Sequence, residues 1–254
     1  MAEIKDESTV ENVELNETVE ETIEETEERV IDPNLQGIQL FYEKNKKMIN
    51  YVGGGLVIII SALVYWNLSY LPGKEKEAAN EILWAQKFFD VDSFNIAVNG
   101  NRMVYTADGQ KQMMGFDAVA DEYSMTKNGN LANYYAGICY LRTGKFELAI
   151  ERLEKFSLKD EVVAPMALGA IGDAYLELNK LDEGVKYYLK ASEESTNNFT
   201  TPYFLKKASF AYELASNYAE AINLYERLEK EYGSTEIGKE ADRQIARLKA
   251  LGNL

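Results

Sequence analysis

The sequence contains no histidine and a single cysteine, Cys139. Histidine is the usual general base and the commonest metal ligand, so its absence removes the ordinary basis for acid–base or metal chemistry. One cysteine can form neither an intramolecular disulfide nor a cysteine metal cluster, and no histidine exists to activate it. No glycine-rich phosphate loop is present either. The sequence therefore predicts a protein that is not an enzyme, with no catalytic, cofactor-binding or metal site and no small-molecule substrate.

Basic residues are scarce as well, and the formal net charge is −15. Residues 1–30 hold twelve Asp and Glu against two basic residues. Low-complexity, highly charged sequence of this kind cannot bury enough apolar surface to fold. We therefore expect residues 1–34 to form a disordered acidic tail. The acidic total also argues against nucleic acid as a partner, because phosphate binding needs clustered Lys and Arg.

One long stretch, from Met48 to Gly73, has no charged residue. About 20 apolar residues suffice to cross a bilayer as a helix, so residues 48–72 predict a transmembrane helix that ends at Pro72-Gly73. A buried core helix fits less well because the run is apolar on all faces, and a signal peptide fits poorly because no small-residue cleavage site follows. Aromatic residues suited to the membrane interfaces flank the run: Tyr51, Tyr65, Trp66 and Tyr70.

Lysines set the expected orientation. The juxtamembrane segment, residues 35–47, ends with three lysines, whereas two lysines follow the run directly. The excess of positive charge favours a cytoplasmic N-terminus, with residues 74–254 on the other side of a bacterial inner membrane, in the periplasm. The bias is only three to two, so the opposite orientation remains the main alternative.

Three glycines, Gly53, Gly54 and Gly55, lie in the first turns of the predicted span. Glycine weakens a helix by about 1 kcal/mol relative to alanine, but small residues let a second transmembrane helix approach closely. We interpret these glycines as a transmembrane contact site, with a merely tolerated flexible entry as the alternative.

The C-terminal half contains an internal repeat with offsets of 35 and 37 residues. A small residue followed three positions later by tyrosine recurs at Gly137–Tyr140, Gly172–Tyr175 and Ser209–Tyr212. Residues that tolerate positive φ follow at Gly144 and Asn179. This period predicts two amphipathic helices per unit, joined by a tight turn, and a tyrosine buried between helices in each unit.

The pattern resembles the tetratricopeptide repeat, which implies an all-α protein with one N-terminal transmembrane helix and an α-solenoid. We expect degenerate N-terminal helices over 73–129, with a loop or short hairpin at 98–113, three repeats over 130–232 and a capping helix over 233–254. Thr201-Pro202 and Asn130 are predicted to begin helices. By that register, the positions expected to face a protein partner on the concave side are Tyr134, Ile138, Arg142, Asp173, Glu177, Phe210 and Glu213.

The whole arrangement is similar to the YfgM-like family, ancillary subunits of the bacterial Sec translocon, in the version found in Bacteroidota. The resemblance rests on the acidic tail, the juxtamembrane Phe41-Tyr-Glu-Lys-Asn-Lys-Lys, the single span and the run from Gly129 to Ile150. It implies a scaffold that binds the translocon and exported clients or periplasmic chaperones. A membrane-anchored adaptor for envelope assembly or secretion unrelated to Sec is the alternative. A further alternative is an organelle outer-membrane receptor whose repeats lie in the cytosol.

Overall fold

The computed structural model describes residues 33–106 and 109–253, and the chain divides after Val64 into two units. The predicted acidic tail, residues 1–34, lies outside the described residues except for its last two positions.

The described part of the first unit lies within one α-helix, α1 (Pro33–Tyr65). Between Ile38 and Val64 its Leu, Ile and Val side chains are exposed, apart from the half-buried Ile49. An 18-residue window of the helical segment Gly37–Phe89 has a mean hydropathy of 1.9 and none of it is buried. By length and composition this segment can cross a membrane once, and its exposure argues against a core helix of a soluble domain.

The second unit is helical apart from one hairpin. Its described elements are a π-helical turn (Trp66–Tyr70), α2 (Leu71–Phe89), α3 (Phe94–Asn99), β1 (Met103–Thr106), β2 (Gly109–Gln112), α4 (Phe116–Glu122), α5 (Lys127–Arg142), α6 (Phe146–Lys155), α7 (Val163–Glu177), α8 (Leu181–Glu194), α9 (Thr200–Leu214), α10 (Tyr218–Tyr232), α11 (Glu236–Lys239) and α12 (Ala241–Gly252). Each helix from α4 to α10 packs on the next along the chain, and α12 packs on α10. The fold is therefore all-α, with an α-solenoid built from the helix pairs α5–α6, α7–α8 and α9–α10, here called repeats 1, 2 and 3.

The expected helix end at Pro72-Gly73 is wrong. The chain stays helical past Pro72: a π-helical turn at Trp66–Tyr70 leads into α2, and Pro72 lies in the first turn of α2. A proline after an apolar run therefore need not end a helix.

The turn inside each repeat has the same backbone conformation. Gly144, Asn179 and Ser216 have φ values of 74°, 56° and 56°, which confirms the positive φ expected at Gly144 and Asn179 and adds Ser216. The N–H group following each of them donates to the carbonyl of the repeating tyrosine: Lys145 to Tyr140 at 2.9 Å, Lys180 to Tyr175 at 2.9 Å and Asn217 to Tyr212 at 2.8 Å. A left-handed residue closed by this hydrogen bond ends a helix and reverses the chain.

Small residues allow the two helices of a repeat to meet. In repeat 2, a Cβ atom added to Gly172 would lie 2.7 Å from the ring of Tyr188, so only glycine leaves room for that ring. Gly184 takes the repeat position that holds alanine in the other repeats, Ala149 and Ala221, and the side chain of Leu176 fills the space a Cβ would need. The departure at Gly184 therefore leaves the helix crossing intact.

Two of the expected helix starts are wrong. Repeat 1 begins at Thr126, whose hydroxyl accepts from the N–H of Gly129 at 2.9 Å, and not at Asn130. In repeat 3, Thr201 already lies within α9. The carboxamide oxygen of Asn197 accepts instead from the N–H of Thr200 at 2.7 Å. Both real caps lie upstream of the residues chosen from sequence, because a capping side chain must precede the first free N–H groups.

The helix α2 is fastened to the first repeat by Glu75. Its carboxylate accepts from the backbone N–H groups of Lys127 and Asn128, at 2.7 and 2.9 Å, at the start of α5. The N-terminus of a helix carries partial positive charge, so a carboxylate there is favourable. Residues 98–113, expected to form a loop or short hairpin, contain the antiparallel pair β1–β2.

The C-terminal cap is two helices instead of one. The helical conformation is interrupted at Glu240, between α11 and α12. Ala241, Ile245 and Leu248 on α12 are buried, while Ile237 on α11 is half-buried. The break lets α12 lie along α10 and cover the open end of the stack.

The repeating tyrosines are less buried than expected. Tyr140 is buried, but Tyr175 and Tyr212 are half-buried. Tyr188, on the second helix of repeat 2, is 2% exposed, and Tyr225, on the second helix of repeat 3, is 5% exposed, similar to Tyr140 at 6%. Buried tyrosine rings therefore come from both helices of a repeat.

Candidate functional site

The first helices of all three repeats line one continuous groove with a volume of about 970 Å³. We call it the repeat groove. Its lining residues that matter here come from α5 (Tyr134, Ile138, Arg142), α7 (Met166, Asp173, Glu177) and α9 (Tyr203, Lys207, Phe210), with Phe89 of α2 at one end. The groove exists because equivalent faces of α5, α7 and α9 turn to the same side of the solenoid.

The structure brings together six of the seven predicted concave residues: Tyr134, Ile138, Arg142, Asp173, Glu177 and Phe210 all line the repeat groove. Glu213 does not line it. Its carboxylate instead binds the guanidinium of Arg247 on α12, at 2.6 and 2.7 Å. The role of Glu213 as a partner-facing residue stays a prediction, although its carboxylate is already paired within the fold.

Asp173 is the polar centre of the groove. Its carboxylate accepts a hydrogen bond from the hydroxyl of Tyr188 and pairs with the ammonium of Lys207. The same ammonium lies 5.3 and 5.4 Å from the ring centres of Tyr188 and Tyr203. Burial, and next the Asp173 carboxylate, raise the pKa of Tyr188 far above its usual value, so its hydroxyl stays a donor. The central charges of the groove thus neutralise each other.

Large apolar side chains remain accessible beside this centre. Phe210 is 52% exposed and Tyr203 is 39% exposed, whereas most aromatic rings of the solenoid are buried or half-buried. Ile138 and Tyr134 are half-buried in the neighbouring wall. Exposed apolar surface gathered in a concave site is typical of a protein-binding surface.

Two charged residues of the groove are not used within the fold. Arg142 and Glu177 are exposed, and neither takes part in an ion pair among residues 33–106 and 109–253. Each is the last residue of its helix, α5 and α7 respectively. Their charges are available to a partner.

Sequence reasoning missed Lys207 and Tyr203. Lys207 takes the repeat position held by Tyr135 and Ala170, so the repeat pattern gives no hint of charge there. A signal was nonetheless available in the offset of 34 residues between Asp173 and Lys207, which places opposite charges on neighbouring first helices.

Among the described residues, neither a cysteine nor a metal-binding cluster lines the groove. Cys139 lies nearby in sequence but is fully buried, and burial raises the pKa of its thiol to about 12. In the part of the chain that the structure describes, His, Cys, Asp and Glu form no cluster of three that could hold a metal ion. The arrangement is suited to holding a polypeptide by shape, apolar contact and charge.

Comparison with known proteins agrees with this architecture. Residues 131–159, which cover most of repeat 1, match the tetratricopeptide repeat family. No curated protein matches the chain. Tetratricopeptide repeats are protein-interaction scaffolds, and the chain carries such a repeat beside one helix able to cross a membrane.

Proposed function

We propose that this chain is a non-enzymatic, membrane-anchored scaffold that binds partner proteins in the repeat groove. The observation that carries the proposal is the groove itself, which runs across all three repeats and presents the half-exposed ring of Phe210. The exposed half of that ring adds nothing to the core, so a partner would gain the apolar contact that the fold leaves open.

The finer proposal is an accessory role at the Sec translocon, with the repeats in the periplasm binding exported clients or chaperones. It is supported by the resemblance of the tail, span and repeats to the YfgM-like family. The second candidate is an adaptor for envelope assembly or secretion unrelated to Sec. The same groove would serve both roles, so the partners that accompany the protein separate them.

The span takes part in partner contact through Gly53, Gly54 and Gly55. A Cβ atom added to any of them would meet nothing within 4 Å, so no packing inside the chain requires glycine there. Apolar packing between helices in lipid lacks a hydrophobic drive, which makes close backbone approach more valuable than in water. A neighbouring transmembrane helix would supply the missing contact.

The experiment is purification of the full-length protein from its native membranes in mild detergent, followed by mass spectrometry. Wild type is compared with Phe210→Glu, which places a charge in the groove, and with Leu251→Glu. Leu251 is also 52% exposed, but it lies on α12 outside the groove. The proposal expects translocon subunits or exported proteins with wild type and Leu251→Glu, and their loss with Phe210→Glu. Equal recovery with all three proteins would refute the groove as the binding site.

A further inference from the structure

Equivalent residues of the three first helices form rows across the repeat groove. With the repeat offsets of 35 and 37 residues, Arg142, Glu177 and Leu214 are equivalent, and each is the last residue of its helix. Four residues earlier, Ile138, Asp173 and Phe210 form a second row. Because α5 contacts α7 and α7 contacts α9, each row crosses the groove from repeat 1 to repeat 3.

Chemical character changes along these rows in a fixed order. Repeat 1 presents the guanidinium of Arg142, and repeat 2 presents the carboxylate of Glu177. Asp173 adds no free charge because Lys207 neutralises it. Repeat 3 presents the ring of Phe210, 52% exposed. From repeat 1 to repeat 3, the groove therefore presents a cation, then an anion and then an apolar surface.

We infer that the groove binds an internal, extended peptide segment whose side chains complement this order: an acidic residue at Arg142, a basic residue at Glu177 and a large apolar residue at Phe210. The inference rests on the proposed scaffold function and specifies the partner for it. Complementary charges fix the register of a bound chain and reject mismatched partners, while the apolar anchor contributes most of the affinity.

Geometry gives the spacing of the motif. Packed helices lie about 8–10 Å apart, and an extended chain advances about 3.3 Å per residue. One repeat thus corresponds to about three residues of ligand, so the acidic, basic and apolar residues lie about three positions apart. The rows do not fix the direction in which the peptide runs, so both orders of the motif are tested.

The groove is less suited to a free C-terminal carboxylate. Lys207 is already paired with Asp173, which leaves Arg142 as the cation of the groove that is free among the described residues. A terminal carboxylate bound at Arg142 would place the rest of the peptide beyond the groove or against Glu177. An internal segment uses both charges.

The test measures peptide binding by fluorescence anisotropy to the full-length protein in nanodiscs of zwitterionic lipid. The probes are labelled peptides, acetylated and amidated so that they have no terminal charges. They carry Glu, Lys and Phe three residues apart in either order, with Gly and Ser between. We expect one order to bind. Arg142→Glu should weaken that binding by about fivefold or more, and a peptide with Lys in place of Glu should restore it for this variant. Glu177→Lys should behave in the reciprocal way.

Arg243→Glu is the matched control, because the Arg243 side chain is 73% exposed on α12, outside the groove. The Arg243→Glu variant should bind the original peptide as the wild type does. Binding that both charge reversals leave unchanged, or that the swapped peptides fail to restore, overturns the motif. The scaffold function still stands if Phe210→Glu abolishes recovery of native partners while the charge reversals do not. If Phe210→Glu also has no effect, the groove is not the site at all.

Discussion

The carboxylate of Glu213 on α9 and the guanidinium of Arg247 on α12 form a two-point ion pair, with distances of 2.6 and 2.7 Å. Arg247 holds the pKa of Glu213 below its usual value. A depressed folded pKa contributes stability that is present above the unfolded value, about 4.3, and is lost as pH falls through the folded pKa. The pair thus fastens the terminal helix to repeat 3 at neutral pH.

We predict that Glu213→Gln lowers the free energy of unfolding by about 0.5–1 kcal/mol at pH 7, since both side chains are partly exposed. The difference from wild type should shrink as pH falls below about 4.3. Urea unfolding of the full-length protein in detergent, followed by circular dichroism across pH, measures this. Glu229→Gln, on the exposed face of α10, is the control. A pH-independent difference would show that the ion pair is not its cause.

A second prediction separates the buried from the repeating tyrosines. Tyr188→Ala should cost about 3–5 kcal/mol, because Tyr188 is 2% exposed and its ring fills the space that Gly172 leaves free. Tyr175→Ala should cost about 1–2 kcal/mol, since that ring is only half-buried. Urea unfolding of the two variants side by side gives the ranking. The opposite order would mean that the repeating tyrosine carries the packing after all.

A third prediction concerns the turns. Ser216 is exposed and adopts a φ of 56°, a conformation that costs an L-residue about 1 kcal/mol but glycine almost nothing. Ser216→Gly should therefore raise the free energy of unfolding by about 1 kcal/mol. Gly144→Val, where φ is 74°, should lower it by about 2 kcal/mol, because branching at Cβ adds to the strain. If both substitutions changed the free energy of unfolding in the same direction, this account of the turns would be contradicted.

The sequence predicts the repeats of this fold better than the contacts between them. The period of small residues and turn residues located the repeats, because close helix approach and positive φ restrict residue type so strongly. The place of Glu213 could not be predicted, since the break at Glu240 lets α12 fold back and no local pattern marks its partner. For the groove, the register placed Asp173 correctly. The pairing with Lys207 depends on contact between repeats, which the pattern within one repeat does not encode.

Orientation supplies a fourth prediction. If the lysines before the span keep the N-terminus in the cytoplasm, protease added to intact spheroplasts should digest residues 74–254 and spare the N-terminal tail. Immunoblotting with tags at the two ends follows both parts, and permeabilised spheroplasts serve as the control. A repeat domain protected in intact spheroplasts and digested only after permeabilisation would establish the opposite topology.

The fifth prediction tests the glycines of the span. Gly54→Leu combined with Gly55→Leu should leave membrane insertion intact and reduce the amount of translocon that co-purifies, because the added side chains hold a neighbouring helix away. Ile58→Leu with Ile59→Leu, exposed on the same helix, is the matched control. Quantitative immunoblotting of the purified material compares them. If both double variants recover as much translocon as wild type, the span serves only as a tether.

The uniform turns at Gly144, Asn179 and Ser216 have an evolutionary consequence. The shared internal turn gives each helix pair the same geometry, and a pair can be duplicated in tandem as a unit, since each pair contacts only its neighbours. An added copy of residues 163–199 after repeat 2 would extend the groove by one more helix and introduce a second anionic position. Selection could therefore change the length of peptide this protein accepts through gene duplication alone, before any residue in the groove mutates.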